Sequence, residues 1–184
     1  MSDYSDVEIT LVEFDEHVRR RPAMYFAVSR GDPQLPTWVL TGVLRLAVHP
    51  ATCLAGDHEP VVVVEVTSSM SFTVVDDQAS PFDPFGDPPE GYCGSLLGND
   101  RWLLGAALAL STDGVIEVWR DGCGWRQEVR GLRPALPAAR FAAPPGSGTR
   151  VVWSCGPWSV ASRWGLRTRW GLITAAGLVV RLSW

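Results

Sequence analysis

Two stretches of β-branched residues, one shortly after the other, constrain the fold of this chain more than any other feature. Residues 61–67 (VVVVEVT) form a continuous run, and residues 71–76 (SFTVVD) continue it after a Ser-Ser turn. Branching at Cβ favours the extended backbone of a strand over a helix. The same signals predict four further strands: a hairpin over 115–120 and 125–130 that turns at Asp121-Gly122-Cys123-Gly124, and single strands over 149–154 and 178–183.

Prolines and capping residues place the helices between these strands. A helix over 13–21 ends at Pro22, because proline disfavours the helical conformation in the residue before it. A second helix is predicted over 36–49, where Pro36 suits a first turn and Pro50 ends the segment. The remaining predictions are a third helix from a cap at Asn99 or Asp100 to Leu110, a fourth helix over 160–173, and loops over 79–98 and 132–147.

Several antiparallel strands with helices grouped on one side predict the α+β class: a two-layer α/β sandwich with a mixed, mostly antiparallel sheet. The 184 residues are expected to form a single domain, 1–184, in which residues 1–13 are a possible N-terminal arm. No transducer or other additional domain is expected.

Charge and composition exclude several classes of function. The net charge of −4 argues against a nucleic-acid binder, because phosphate neutralisation needs an excess of basic residues. All sixteen basic residues are arginine, so no lysine can contact a phosphate group; this composition fits a GC-rich bacterial genome. The four cysteines lack metal-ligand spacing, and we expect half-buried or buried thiols, no metal and no cofactor. No signal peptide or membrane span is predicted, so the expected location is cytoplasmic.

Five motifs in order give the chain a resemblance to a known family. They are residues 18–26 (VRRRPAMYF), 71–77 (SFTVVDD), 115–128 (VIEVWRDGCGWRQE), 148–153 (GTRVVW) and the segment 163–182. Together they resemble the ATP-binding domain of gyrase B and topoisomerase IV, whose fold is shared with histidine kinases and MutL. The resemblance covers nearly the whole chain from residue 8. It implies the two-layer sandwich already predicted and a nucleotide pocket on one side of the sheet.

The resemblance also locates residues that hydrolysis would need. In the family a glutamate on the second helix activates water, and an asparagine one turn later binds Mg²⁺. The matching positions here are Thr41 and Arg45. Threonine cannot take a proton from water at neutral pH, and a permanent positive charge at Arg45 repels a metal ion. Hydrolysis by the family mechanism is therefore not expected.

Nucleotide recognition is kept only in part. Asp76 matches the aspartate that accepts the adenine amino hydrogen, with Asp77 beside it, and Thr149 matches its supporting threonine. Each aspartate is otherwise an ordinary turn residue at a strand end. The glycine-rich turn of the family reads QASPF over 78–82, and the phosphate lid is replaced by the short stretch 94–101 (GSLLGNDR). Side chains there block close backbone approach, so triphosphate binding is not expected.

Two arginines complete the candidate ligand-binding residues. Arg126 matches an arginine at the mouth of the family pocket, although its charge favours a solvated strand arginine. Arg45, if it faces the pocket with Thr41, needs an anionic partner such as Asp76, Asp77 or an acidic ligand.

The function predicted from the sequence is a catalytically inactive pseudo-ATPase that binds a small planar ligand or a protein partner through a relict pocket. A homodimer through the N-terminal arm is possible. Two alternatives stay open: an enzyme of specialised metabolism with a refitted pocket, and a regulator that contacts gyrase.

Overall fold

The computed structural model describes residues 11–47, 61–68, 71–78, 82–155, 166–168, 171–173 and 178–182. Its helices are α1 (Phe14–Arg20), α2 (Ala23–Phe26), α3 (Leu35–Ala47) and α4 (Trp102–Leu110), with short 3₁₀ turns at Tyr92–Gly94 and Asn99–Arg101. The strands are β1 (Val62–Ser68), β2 (Ser71–Asp76), β3 (Asp113–Arg120), β4 (Cys123–Arg130), β5 (Arg133–Pro134), β6 (Ala139–Ala142), β7 (Ser147–Ser154), β8 (Leu166–Thr168), β9 (Gly171–Ile173) and β10 (Leu178–Leu182).

Eight of these strands form one sheet in the order β10-β1-β2-β7-β3-β4-β5, and β6 also pairs with β4. Each pairing is antiparallel. The β3–β4 hairpin turns tightly because Asp121 and Gly122 both take positive φ angles, 51° and 86°, as a two-residue hairpin turn requires. The predicted α+β sandwich with a mostly antiparallel sheet is confirmed.

The core lies between one face of the sheet and the helices. Helix α4 is the centre of this layer, since every residue from Leu103 to Leu110 is buried. The indole of Trp153 on β7 donates a hydrogen bond of 2.8 Å to the Ala107 carbonyl of α4, and it stacks on Phe72 of β2 with 4.9 Å between ring centroids. A buried indole needs such a partner for its N–H group, so this bond fixes the position of α4 over the middle of the sheet.

Three predictions about elements are wrong. The helix predicted over 160–173 is replaced, where the structure describes it, by the antiparallel pair β8–β9. Gly165 and Gly171 explain part of this, because glycine costs about 1 kcal/mol inside a helix. The loop predicted over 132–147 contains β5 and β6, which pair with the free edge of β4. Pro134 is tolerated there because prolines are accommodated in edge strands.

The third wrong prediction concerns the start of α4. Neither Asn99 nor Asp100 caps it; both lie in a 3₁₀ turn, and Arg101 is the N-cap residue without a side-chain capping bond. Trp102, the first residue of α4, is 40% exposed. The side chain that points inward from this turn is Arg101 instead.

Candidate ligand-binding site

Asp76 and Thr149 lie side by side on the helix-covered face of the sheet. Asp76 ends β2 and pairs with Thr149 of β7, which in turn pairs with Val118 of β3. Directly paired residues of neighbouring strands point to the same face. Both polar residues are buried, since each is only 1% exposed. The structure therefore brings together the two residues that the sequence assigned to ring-amine recognition.

The guanidinium group of Arg101 occupies this position. Its two terminal nitrogens donate to the two carboxylate oxygens of Asp76 at 2.8 and 2.9 Å, and one of them lies 3.5 Å from the hydroxyl of Thr149. The Arg101 side chain is only 6% exposed. A parallel pair of N–H···O bonds is the strongest arrangement between these groups. We call Asp76, Thr149 and Arg101 the Asp76 site.

Opposing effects act on the ionisation of Asp76. Burial raises the pKa of this carboxyl group above its ordinary value, while the charge and hydrogen bonds of Arg101 and the backbone N–H of Gln78 act to lower it. Gln78 donates to Oδ1 at 3.2 Å. Each carboxylate oxygen thus already accepts a hydrogen bond from Arg101, and one accepts a second from the backbone.

Little space remains beside the Asp76 site. The cavity there has a volume of about 10 Å³, which is room for about one water molecule. Nε of Arg101 lies 3.3 Å from Oδ2 of Asp100 at its edge. The cavity walls are Pro88, Pro89, Leu96, Leu97, Gly98, Asp100, Arg101, Val118 and Thr149. Arg101 and its neighbours therefore leave little free space beside Asp76 and Thr149.

The segment that carries Arg101, residues 91–101, is folded tightly on itself; we call it the lid segment. The N–H of Gly91 donates to the Ser95 carbonyl at 2.8 Å, and that of Tyr92 donates to the Leu97 carbonyl at 3.1 Å. A Cβ atom on Gly91 would lie 1.8 Å from the Leu97 oxygen, so only glycine fits. Gln127 of β4 accepts the Leu96 N–H at 3.0 Å, which ties the lid segment to the sheet.

The residues on α3 face a different environment. Thr41 is half-buried and Arg45 is exposed. Within the described part of the chain, Arg45 makes no ion pair, and the partner proposed for it, Asp76, is bound to Arg101. Oδ1 of Asp77 accepts the Val61 N–H at 2.9 Å, so Asp77 holds the beginning of β1. The residues of α3 contain no carboxylate or amide oxygen donor in their side chains and do not fit Mg²⁺.

Arg126 lies on the other face of the sheet. In the strand register, Arg126 of β4 lies directly opposite Glu117 of β3, and Glu117 lies opposite Arg150 of β7. Both arginines form ion pairs with Glu117. Because neighbouring residues of a strand point to opposite faces, Glu117 and Arg126 are separated from Val118 and Thr149 by the sheet itself. The structure thus does not bring Arg126 to the Asp76 site.

A separate group of possible metal ligands consists of Glu13, Asp15 and Cys93, whose donor atoms lie within 4.8 Å of one another. Asp15 already accepts hydrogen bonds from Arg19 and Arg133. Burial raises the pKa of the Cys93 thiol, which disfavours the thiolate that binds metals. The chemistry of this group does not fit a metal ion.

The other cysteines agree only in part with the expectation of buried or half-buried thiols. Cys155 is buried, but Cys123 is exposed, and Cys53 lies outside the described residues.

The fold is similar to that of the ATPase domains of gyrase B proteins. The chain resembles the gyrase B protein of Myxococcus xanthus, with 23% identity and a TM-score of 0.51 over 77% of this chain and 42% of that one. It also resembles the 43K ATPase domain of Thermus thermophilus gyrase B, solved in complex with an aminocoumarin, with 25% identity and a TM-score of 0.55 over 79% of this chain and 40% of that one.

This chain therefore spans about two fifths of the length of the gyrase structures that it matches. No family model and no curated protein matches its sequence. Among the described residues, no helix has both the length and the apolar character needed to cross a bilayer. The chain is a relative of gyrase B ATPase domains in fold.

Proposed function

We propose that this chain is a pseudo-ATPase, a gyrase B-like domain that does not hydrolyse Mg·ATP and acts by binding a protein partner through the surface around the relict pocket. The observation that carries the proposal is the paired hydrogen bond between Arg101 and Asp76. A ligand amine cannot reach the Asp76 carboxylate until this arginine leaves.

The composition of α3 supports the absence of hydrolysis. Activation of water needs a group that accepts a proton near neutral pH, and Thr41 offers only a hydroxyl. Arg45, one turn further along, adds a positive charge where the family mechanism needs a cation-binding side chain. These two substitutions act on the chemical step, whereas Arg101 acts on binding, so the two arguments are independent.

The size of the residual cavity favours a protein partner over a small ligand. Sites for drug-sized molecules enclose about 300–1,000 Å³, whereas the cavity beside Arg101 encloses about 10 Å³. A planar ligand would have to displace a buried, doubly hydrogen-bonded guanidinium group.

We further propose that the chain is a single domain located in the cytoplasm. The homodimer through residues 1–13 stays a prediction, which sedimentation equilibrium tests.

The proposal is tested by calorimetric titration with ATP, ADP, adenine and an aminocoumarin, each with and without Mg²⁺, together with a phosphate-release assay. We expect no heat of binding and no phosphate release above the background of the buffer. The Asp76→Ala variant is the control for any binding that is seen. Magnesium-dependent binding of ATP with turnover, removed by substitution of Thr41 or Arg45, would refute the proposal.

A further inference from the structure

We propose that Asp76 and Thr149 form a guanidinium-binding site and that Arg101 fills it as an internal ligand, which latches the lid segment closed. This inference rests on the proposed function in one respect, namely that the pocket is not a working Mg·ATP site. It adds what the pocket recognises and what holds the lid segment closed.

The chemistry of the pocket matches a guanidinium group. Asp76 presents both carboxylate oxygens toward Arg101, at 2.8 and 2.9 Å from its two terminal nitrogens. A planar fork of N–H donors satisfies both oxygens at once, which a lysine ammonium group cannot do. The hydroxyl of Thr149 lies 3.5 Å from one of the same nitrogens. Three oxygens from two neighbouring strands thus surround one planar cation.

Burial makes the partner of Asp76 costly to remove. Asp76 and Arg101 are 1% and 5% exposed, and a charge in such surroundings is stabilised by a partner of opposite charge rather than by water. If Arg101 is removed, the buried carboxylate loses its partner and an opening of the same shape remains. An added guanidinium ion of similar size should then enter this opening.

The position of Arg101 in the chain makes it a latch. It is the last residue of the 3₁₀ turn, directly before α4, and its N–H donates to the Gly98 carbonyl at 3.0 Å. Leu97, at the centre of the lid segment, is fully buried beside it. The ion pair joins the end of the lid segment to β2, while Gln127 joins its middle to β4. Loss of the first contact should loosen the segment from its end near α4.

Chemical rescue of the Arg101→Ala variant tests this inference. We expect the variant to melt about 5 °C or more below the parent. Ethylguanidinium chloride at up to about 20 mM, too dilute to act as a denaturant, should raise its melting temperature by about 2–4 °C, with the logarithmic dependence on concentration that binding to the folded state produces. If the variant is unfolded, the same titration is followed by circular dichroism. A gain of the folded-state signal then takes the place of the rise in melting temperature.

Three controls make the rescue specific. Sodium chloride and tetramethylammonium chloride at equal concentration should have no effect, because neither cation donates N–H bonds. The parent and the Arg126→Ala variant, which lacks an exposed arginine, should not respond to ethylguanidinium. The Asp76→Asn/Arg101→Ala double variant should also fail to respond. A response of equal size in the double variant, or none in Arg101→Ala, would overturn the inference.

A second variant tests the latch without creating a cavity. Arg101→Lys keeps the charge but loses the paired hydrogen bonds, so amide hydrogen exchange of residues 95–98 should become at least about tenfold faster. Exchange in β3 and β4 should stay as in the parent. Unchanged exchange in residues 95–98 would overturn the latch. Phosphate release by the parent chain would refute the proposed function but would leave both of these results unaltered, so the two failures are distinguishable.

Discussion

Asp15, at the beginning of α1, accepts two hydrogen bonds from Arg133 of β5, at 2.8 and 3.0 Å, across 118 positions of sequence. Arg19, one turn further along α1, donates a third bond at 2.8 Å. The Asp15 side chain has no exposed surface. These contacts attach the first helix to the edge of the sheet, next to the lid segment.

Asp15 should make the stability of the protein depend on pH. Burial raises the pKa of its carboxyl group, but the bonds and charges of Arg133 and Arg19 outweigh burial and hold the pKa below its ordinary value. A lowered pKa stabilises the fold above the unfolded value of about 3.9, and this contribution is lost as the pH falls through the folded pKa. Asp15→Asn should cost about 1–3 kcal/mol at pH 7 and less near pH 3.

Denaturant unfolding of the parent and of Asp15→Asn between pH 7 and pH 3 measures this dependence. The matched control is Glu16→Gln, which removes an exposed carboxylate from the same helix and should change the unfolding free energy by less than about 0.5 kcal/mol. Parallel stability curves for the parent and Asp15→Asn across the whole pH range would be inconsistent with the ion-pair account.

Gly91 should be essential to the lid segment. A methyl group at this position would meet the Leu97 carbonyl at 1.8 Å, so Gly91→Ala must break the turn that closes the segment. We expect a loss of about 1–3 kcal/mol in unfolding free energy, in the range of other steric clashes in packed regions. Gly31→Ala is the matched control, since nothing lies within 4 Å of its added methyl group. Equal melting temperatures for the two variants would contradict this prediction.

Restoring the family residues on α3 should not restore hydrolysis. Thr41→Glu/Arg45→Asn recreates the carboxylate and the amide that the family mechanism uses, but Arg101 still occupies both oxygens of Asp76. We expect phosphate release at the background rate in a coupled assay with Mg²⁺ and ATP. Turnover by this double variant would mean that nucleotide reaches the pocket despite Arg101.

The elements that sequence reasoning located best depend on local chemistry. The β-branched run at 61–67 appears as β1, and Asp121 and Gly122 form the predicted hairpin turn, because strand preference and positive φ are properties of the residues themselves. Strands β5 and β6 were missed because the free edge of β4 creates them. No preference of a Pro/Ala-rich segment reveals such a partner.

The partner of Asp76 was missed for a similar reason. The rule that a buried charge needs a partner of opposite charge was applied to Arg45, for which Asp76, Asp77 or an acidic ligand was named, and not to Asp76 itself. Residues 76 and 101 are distant in sequence, and only the 3₁₀ turn before α4 directs Arg101 inward. A signal was present in the sequence, since the stretch 94–101, which the resemblance sets in the place of the family lid, ends in an arginine.

A double-mutant cycle between Asp76 and Arg101 tests the central claim most directly. Unfolding free energies are measured for the parent, Asp76→Asn, Arg101→Gln and the double variant. If the two side chains are partners, each single variant leaves a buried charge uncompensated, and the double variant should be less destabilised than the sum of the singles, with a coupling of about 2 kcal/mol or more. Additive effects, equal to within about 0.5 kcal/mol, would contradict a pocket filled by its own arginine.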